Sequence, residues 1–144
     1  MDAKDTTIPS GTIDVHSTQY GVLFTLNLKG LPPGIHGFHV HTNLSCAPAM
    51  QDGKMIVALV TGGHLDPTHT GKHEGTWGNV HLGDLPDLYV DSTGKAAYPV
   101  LSPRLRVSDL KGHSLVIHVG GDNHSYHPVM LGGGGARIVC GLTS

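Results

Sequence analysis

The chain has 144 residues and a mass of 15.1 kDa, enough for one domain with a real core but not for two. A net charge of −2 without any run of Lys or Arg leaves no basic surface for nucleic acid, and no apolar stretch is long enough to span a bilayer. Gly (21) and Pro (9) favour short strands and turns over long helices, while 12 histidines beside only 5% aromatic residues direct attention to metal binding.

Residues 1–10 are polar and read as a flexible lead-in, leaving 11–144 as a single domain. Met1 is followed at once by Asp2, Ala3 and Lys4, with no apolar signal segment. The expectation is a cytosolic protein, or an exported one whose signal peptide has been removed. From 20 to 28, Tyr20, Val22, Phe24, Leu26 and Leu28 alternate with other residues, which predicts a strand with one buried face. Gly30-Leu31-Pro32-Pro33-Gly34 is a turn. A strand over 35–41 then sets Phe38 and Val40 on one face and His39 and His41 on the other. His36 shares the Phe38 face and reads as a buried structural histidine.

Residues 42–84 show little periodicity and much Gly, Pro, Asn and Asp, and a loop this long inside a compact domain is usually functional. Leu88–Val90 and 96–101 predict two partner strands joined by the turn Asp91-Ser92-Thr93-Gly94. A further strand over 113–119 points Leu115, Ile117 and Val119 inward and Val116 and His118 outward. A second Gly-rich loop, 120–135, leads to a last strand over 137–142, with Ala136, Ile138, Cys140 and Leu142 on one face. No helix signal follows the glycine run 132–135, so a loop at a site mouth is favoured over a phosphate cradle. The pattern is all-β, a sandwich or barrel with two long functional loops.

Cys46 and Cys140 form no CxxC motif. They are either one structural disulfide, whose loop of roughly 95 residues would contribute up to about 4–5 kcal/mol by chain entropy, or two unrelated buried thiols.

The histidine spacing is more specific. His39 and His41 project from one strand face with Cα atoms about 7 Å apart, which suits one metal ion. The 42–84 loop adds His64, His73, His81 and Asp84, an N3O set suited to four-coordinate zinc. His118, outward on a later strand, is available to the His39–His41 pair. These residues suffice for two sites if one imidazole is shared, which requires loss of both ring protons between two divalent cations.

The strings GIHGFHVHTN, GGHLDP, TGKHEG, HLGDLP, KGHSLVIHVGGDN and LGGGGARIVCG, in that order, resemble the copper-zinc superoxide dismutases, specifically the bacterial periplasmic branch. The resemblance runs from about Gly11 to Gly141. It implies a Greek-key β-barrel or sandwich of immunoglobulin-like type. It also implies one copper and one zinc per chain, with superoxide anion disproportionated to O2 and H2O2 by Cu(II)/Cu(I) cycling. His39, His41, His64 and His118 become the copper ligands, and His64, His73, His81 and Asp84 the zinc ligands. His64 is then the shared bridge, released and protonated on reduction. Asp122 resembles the carboxylate that hydrogen-bonds ligands of both metals, and Arg137 the guanidinium that docks the anion. Cys46 and Cys140 resemble the family's intrachain disulfide. A periplasmic or secreted monomer or homodimer is the matching expectation.

Because the net charge is negative, attraction of the substrate is expected to be local, from Arg137 and from Lys54 or Lys72. Trp77, the single Trp, is expected to pack onto its loop, with an exposed interface anchor as the alternative. His69, His124 and His127 are expected at the surface. Two features depart from the family pattern. The family begins with a strand upstream of Gly11-Thr12-Ile13-Asp14-Val15, and residues 1–10 are too few and too polar for it, so a missing or shortened first strand with an exposed edge is expected. The interval from His73 to His81 is also one residue shorter than in many members. The main rival function is a non-catalytic copper- and zinc-binding or delivery domain, which could dispense with Arg137 and the shared imidazole. A zinc hydrolase is disfavoured because no spare carboxylate is evident near the ligands.

Overall fold

The computed structural model describes residues 11–143, so the expected lead-in at 1–10 lies outside the described residues. Within them the chain forms ten strands: β1 (Gly11–Thr18), β2 (Gly21–Leu28), β3 (Gly34–His36), β4 (Phe38–His41), β5 (Ala49–Gln51), β6 (Lys54–Ile56), β7 (Leu88–Val90), β8 (Val100–Ser102), β9 (Ser114–His118) and β10 (Arg137–Leu142). The only helical segments among the described residues are 3-10 turns of three or four residues. No helix there is long and apolar enough to cross a membrane.

Two antiparallel sheets, ordered β1-β2-β8 and β10-β9-β4, share one core. The alternation in β2 explains its share. Val22, Phe24, Leu26 and Leu28 are buried, while Thr25 and Asn27 are exposed. Tyr20 falls outside this strand, in the preceding turn, and is exposed. From the opposite sheet come Phe38, Val40, Leu115 and Ile117. Phe24 and Phe38 meet edge to face at 5.4 Å. The result is an all-β sandwich, and closure into a barrel is not seen among the described residues. There, nothing pairs with the outer edge of β1 or of β10, and Ile13, Val15, Leu110 and Leu142 line the groove between them.

The segment predicted as one strand over 35–41 is two. β3 pairs with β7, and β4 pairs with β9, with the change of sheet at Gly37. The Gly37 N–H turns to the Gly120 carbonyl at 2.8 Å. His36 is buried as expected, its Nδ1 2.7 Å from the His118 carbonyl and its Nε2 2.7 Å from the Pro32 carbonyl. The turn after β7 also forms, with Asp91 Oδ1 accepting the N–H groups of Thr93 and Lys95. Yet 96–101 does not return along β7. β8 pairs with β2, and Ala96 bridges to Leu28, while β7 pairs with β3.

β10 holds the most consequential difference. A register shift between Arg137 and Val139 sets Val139 opposite Ile117 and Cys140 opposite Val116. The extra residue reverses the alternation, so Ile138 stays in the core while Arg137 and Cys140 share the outer face. Strict period 2 groups Cys140 with Ile138, and the bulge separates them. Leu142, placed on that inward face too, is exposed, as is Val119.

Candidate metal centre

The outer face of β4 and β9 carries the histidines, and the long loop returns to cover it. Val40 donates its N–H to the Gly83 carbonyl, Leu65 to Val40, and Gly83 to Leu65, at 2.8–2.9 Å. This three-way ladder forms bridges from His39 to Asp84 and from His41 to His64. Gly83 is required there, since a Cβ would lie 2.3 Å from the Val40 carbonyl oxygen. The loop covering also buries Val116 on the outward face of β9. A small hairpin inside the loop, β5–β6, escaped the sequence reading although Asp52-Gly53 supplies its two left-handed turn residues.

The structure brings His39, His41, His64 and His118 together, one donor atom from each lying within 4.8 Å of the others. The remaining ring nitrogens explain which atoms are free. His39 Nε2 donates to Asp122 Oδ2 at 2.6 Å, His41 Nδ1 to the Gly62 carbonyl at 2.8 Å, and His118 Nδ1 to the Gly135 carbonyl at 2.9 Å. Their other nitrogens, His39 Nδ1, His41 Nε2 and His118 Nε2, are buried without a hydrogen-bond partner. Buried polar atoms are rarely left so. Three orphaned imidazole nitrogens converging with His64 fit a copper ion.

A second group contains His64, His73 and Asp84, again within 4.8 Å, with His39 as the adjoining member. His81 stands at its edge, Nδ1 3.5 Å from Asp84 Oδ1. His39 Nδ1 faces the first group as well, so His81 is the better fourth donor here. His73 Nδ1 lies 2.8 Å from Asp84 Oδ2, yet both atoms lack a hydrogen bond, as does His81 Nδ1. Close donors that are not aligned with one another are what ligands of one ion look like, and this N3O chemistry fits zinc. The shorter His73–His81 interval therefore moves neither residue away.

Asp122 stands behind both groups, bonding His39 through Oδ2 and His73 Nε2 through Oδ1 at 2.8 Å. The second Gly-rich loop wraps it closely. A Cβ on Gly132, which has φ of +74°, would lie 1.6 Å from Asp122 Oδ1.

Electrostatics follow from burial. Loss of water, reinforced by neighbouring imidazoles, makes His39, His41 and His118 hard to protonate, with pKa values lowered to about 3, about 2 and about 4. His64 is lowered for the same reason. Burial also opposes charge on His73, but its hydrogen bond to Asp122 and the negative charges of Asp84 and Asp122 outweigh it and raise it to about 9. Burial alone would favour neutral Asp84 and Asp122. Their histidine hydrogen bonds prevail and hold both well below the usual carboxylate range.

The cleft above the first group has a volume of about 380 Å³ and is lined in part by His41, His64, His118 and Arg137. Arg137 donates from Nη1 to the Ala58 carbonyl at 3.1 Å and from Nη2 to the Gly62 carbonyl at 2.9 Å. The loop supplying those carbonyls is tied to β10 by the Cys46–Cys140 disulfide.

Residues 9–143 match the sequence profile of the copper/zinc superoxide dismutase (SODC) family. The chain belongs to that family. "Superoxide dismutase [Cu-Zn] 1" of Salmonella typhimurium is 62% identical over 134 residues, 92% of this chain and 76% of its own length. Among solved structures, the Cu/Zn superoxide dismutase from Brucella abortus superposes with a TM-score of 0.91 at 47% identity, covering 94% of this chain and 88% of that one. The solution structure of the monomeric copper, zinc superoxide dismutase from Salmonella enterica gives 0.82 at 53% identity, covering 93% and 88%. Like a copper-zinc superoxide dismutase, the chain takes one copper and one zinc and converts superoxide to O2 and H2O2.

The copper-zinc superoxide dismutase site depends on several residues that the sequence did not disclose. Arg104 donates to the carbonyls of Thr76, Val80 and His81, pinning the segment that carries His73 and His81. Asp87 accepts the Asp122 N–H at 2.9 Å, and Asp66 lies 3.9 Å from His81 Nε2. Asp66 accepts the Thr70 and Gly71 N–H groups and Asp87 holds Asp122, so both are engaged in holding structure. His124 is likewise not a free surface residue. It is half-buried, and its N–H reaches Asp122 Oδ1 at 2.7 Å. His69 and His127 are exposed as expected. Trp77 is 75% exposed rather than packed onto its loop. Neither Lys54 nor Lys72 lines the cleft.

The pKa shifts predict a steep acid sensitivity of the metal-free superoxide dismutase. The unfolded chain binds protons at His39, His41 and His118 near pH 6.5, whereas the folded chain does so only near 2–4. Stability from these groups is therefore complete above 6.5 and lost as pH falls, with a slope of up to about 4 kcal/mol per pH unit when all three differ. His73 acts in the opposite direction, its contribution being lost as pH rises from 6.5 through about 9. Urea midpoints of the metal-free protein should drop sharply between pH 6 and 4.5, and a flat profile would contradict this.

Proposed function

We propose that copper is held by His39 Nδ1, His41 Nε2, His118 Nε2 and the Nε2 of His64, and zinc by His64 Nδ1, His73 Nδ1, His81 Nδ1 and Asp84. The observation that carries this reading is the set of buried, partnerless nitrogens on His39, His41, His118, His73 and His81, arrayed on either side of one imidazole. When bound, copper supplies one-electron exchange with superoxide, while zinc supplies fixed charge without redox change.

The residues have separable tasks. His39, His41 and His118 stay neutral because they are buried, so their lone pairs are available at any physiological pH. Asp122 and the carbonyls of Gly62 and Gly135 fix which ring nitrogen is free. His64 would hold a proton at Nε2 during half of the cycle and return it as one of the two protons that H2O2 requires, the other coming from solvent. Arg137 docks the anion, since its guanidinium remains charged despite half-burial. A non-catalytic metal carrier would not need this cation fixed in the lining of the cleft, and its presence favours the enzyme. Bacterial relatives and a disulfide together support a periplasmic or secreted location. The protein acts as a monomer or homodimer.

Metal analysis after reconstitution should give one copper and one zinc per chain, with copper-dependent superoxide removal that cyanide blocks. One tightly bound zinc without such activity would overturn the assignment. Arg137→Ala should lower kcat/KM about tenfold or more and flatten its dependence on ionic strength. Stopped-flow superoxide decay at two salt concentrations reads both effects, and an unchanged salt slope would remove Arg137 from docking.

A further inference from the structure

The cleft over the copper ligands is larger and more apolar than a diatomic anion requires. Its volume is about 380 Å³, and Arg137 is the only Lys, Arg, Asp or Glu among its lining residues. Ile56, Leu59, Val129, Met130 and Leu131 line it as well. The last three are held out to solvent, 57%, 72% and 40% exposed. Leu131 keeps that position with a left-handed backbone, φ 54°, which is uncommon for a branched side chain. The apolar rim is thus built into the loop that closes over Asp122, and an exposed apolar patch beside a single cation suits a ligand with the reverse arrangement.

We propose that this cleft binds an amphipathic monocarboxylate, a medium-chain fatty acid anion, with its carboxylate on Arg137 and its alkyl chain against Val129, Met130 and Leu131. Two of the guanidinium's five N–H groups go to the carbonyls of Ala58 and Gly62. Three remain, enough for a carboxylate. A bound chain covers the route to the histidines, so the ligand acts as a competitive brake on dismutation. The competition rests on the docking role given to Arg137 above, whereas the binding does not.

The test uses the metal-loaded protein with acetate, butanoate, hexanoate and octanoate, and with octanol as the uncharged control. Affinity is measured by calorimetry and competition by superoxide decay. Affinity should rise about threefold to fourfold for each added methylene that becomes covered, and octanol should bind at least tenfold more weakly than octanoate. Met130→Ser and Leu131→Gly should each flatten the chain-length dependence while leaving acetate affinity unchanged, and Leu131→Gly keeps the left-handed turn. Equal affinity for acetate and octanoate would overturn the proposal by reducing the site to simple anion binding, as would equal affinity for octanol and octanoate. Octanoate binding without competition would leave the binding site standing and overturn Arg137 as the docking group.

Discussion

Asp122→Ala is expected to weaken both metal sites at once, by tenfold to a hundredfold in affinity each. The reason is geometric. One carboxylate bonds His39 from one group and His73 from the other, so its loss leaves both rings free to turn and to change tautomer. It also removes a large part of the charge that raises His73 to about 9. Proton competition for zinc at His73 should weaken even as ring order is lost. Chelator competition for copper and zinc, followed separately, distinguishes these effects. The expected result is weaker binding of both metals, with a smaller pH dependence for zinc. Gly132→Ala should reproduce much of the loss while keeping the carboxylate in the sequence, because its methyl would lie 1.6 Å from Asp122 Oδ1 and force that group to move. Unchanged affinity for either metal in Asp122→Ala would separate the two sites.

The second large effect concerns the disulfide. Cys46 and Cys140 close a loop with a sequence separation of 94, for which chain entropy gives up to about 4–5 kcal/mol of stability. A Cys46→Ser, Cys140→Ser double variant should lose a large part of this in urea unfolding of the metal-free form. It should also lose activity per bound copper. Cys46 lies on the loop that carries the Ala58 and Gly62 carbonyls, and these fix Arg137 and His41. A variant that is less stable but retains the full Arg137 contribution to kcat/KM would show that the loop holds its place by packing alone.

Much of this site was legible in the chain because strand period is a strong local signal. His39 and His41 had to share a face opposite Phe38 and Val40, and the structure places them so. His36, on the other face, lies buried with its ring nitrogens 2.7 Å from the carbonyls of His118 and Pro32. His118 was legible as an outward residue, though its proximity to His39 depends on β4 pairing with β9. The failures were nonlocal or depended on one extra residue. The β10 shift reversed the face of Cys140, and no alternation pattern announces such a bulge. Gly37 divided a segment whose side-chain period looked continuous, because the period is preserved when a strand changes partner. The Ala96 region looked like the mate of β7, but its partner is the distant β2, a pairing no local pattern shows. Arg104 and Asp87 act by holding carbonyls and N–H groups of distant loops, which leaves no spacing for a motif to show.

In the proposed site His64 is common to both metals. The most direct measurement is the Cu(II) electron paramagnetic resonance signal as cobalt(II) is added in place of zinc. If one imidazole joins the sites, unpaired spins couple through it, and the copper signal should fall in proportion to cobalt, reaching near zero at one per chain. A copper signal that persists at full intensity with cobalt bound would contradict a shared His64.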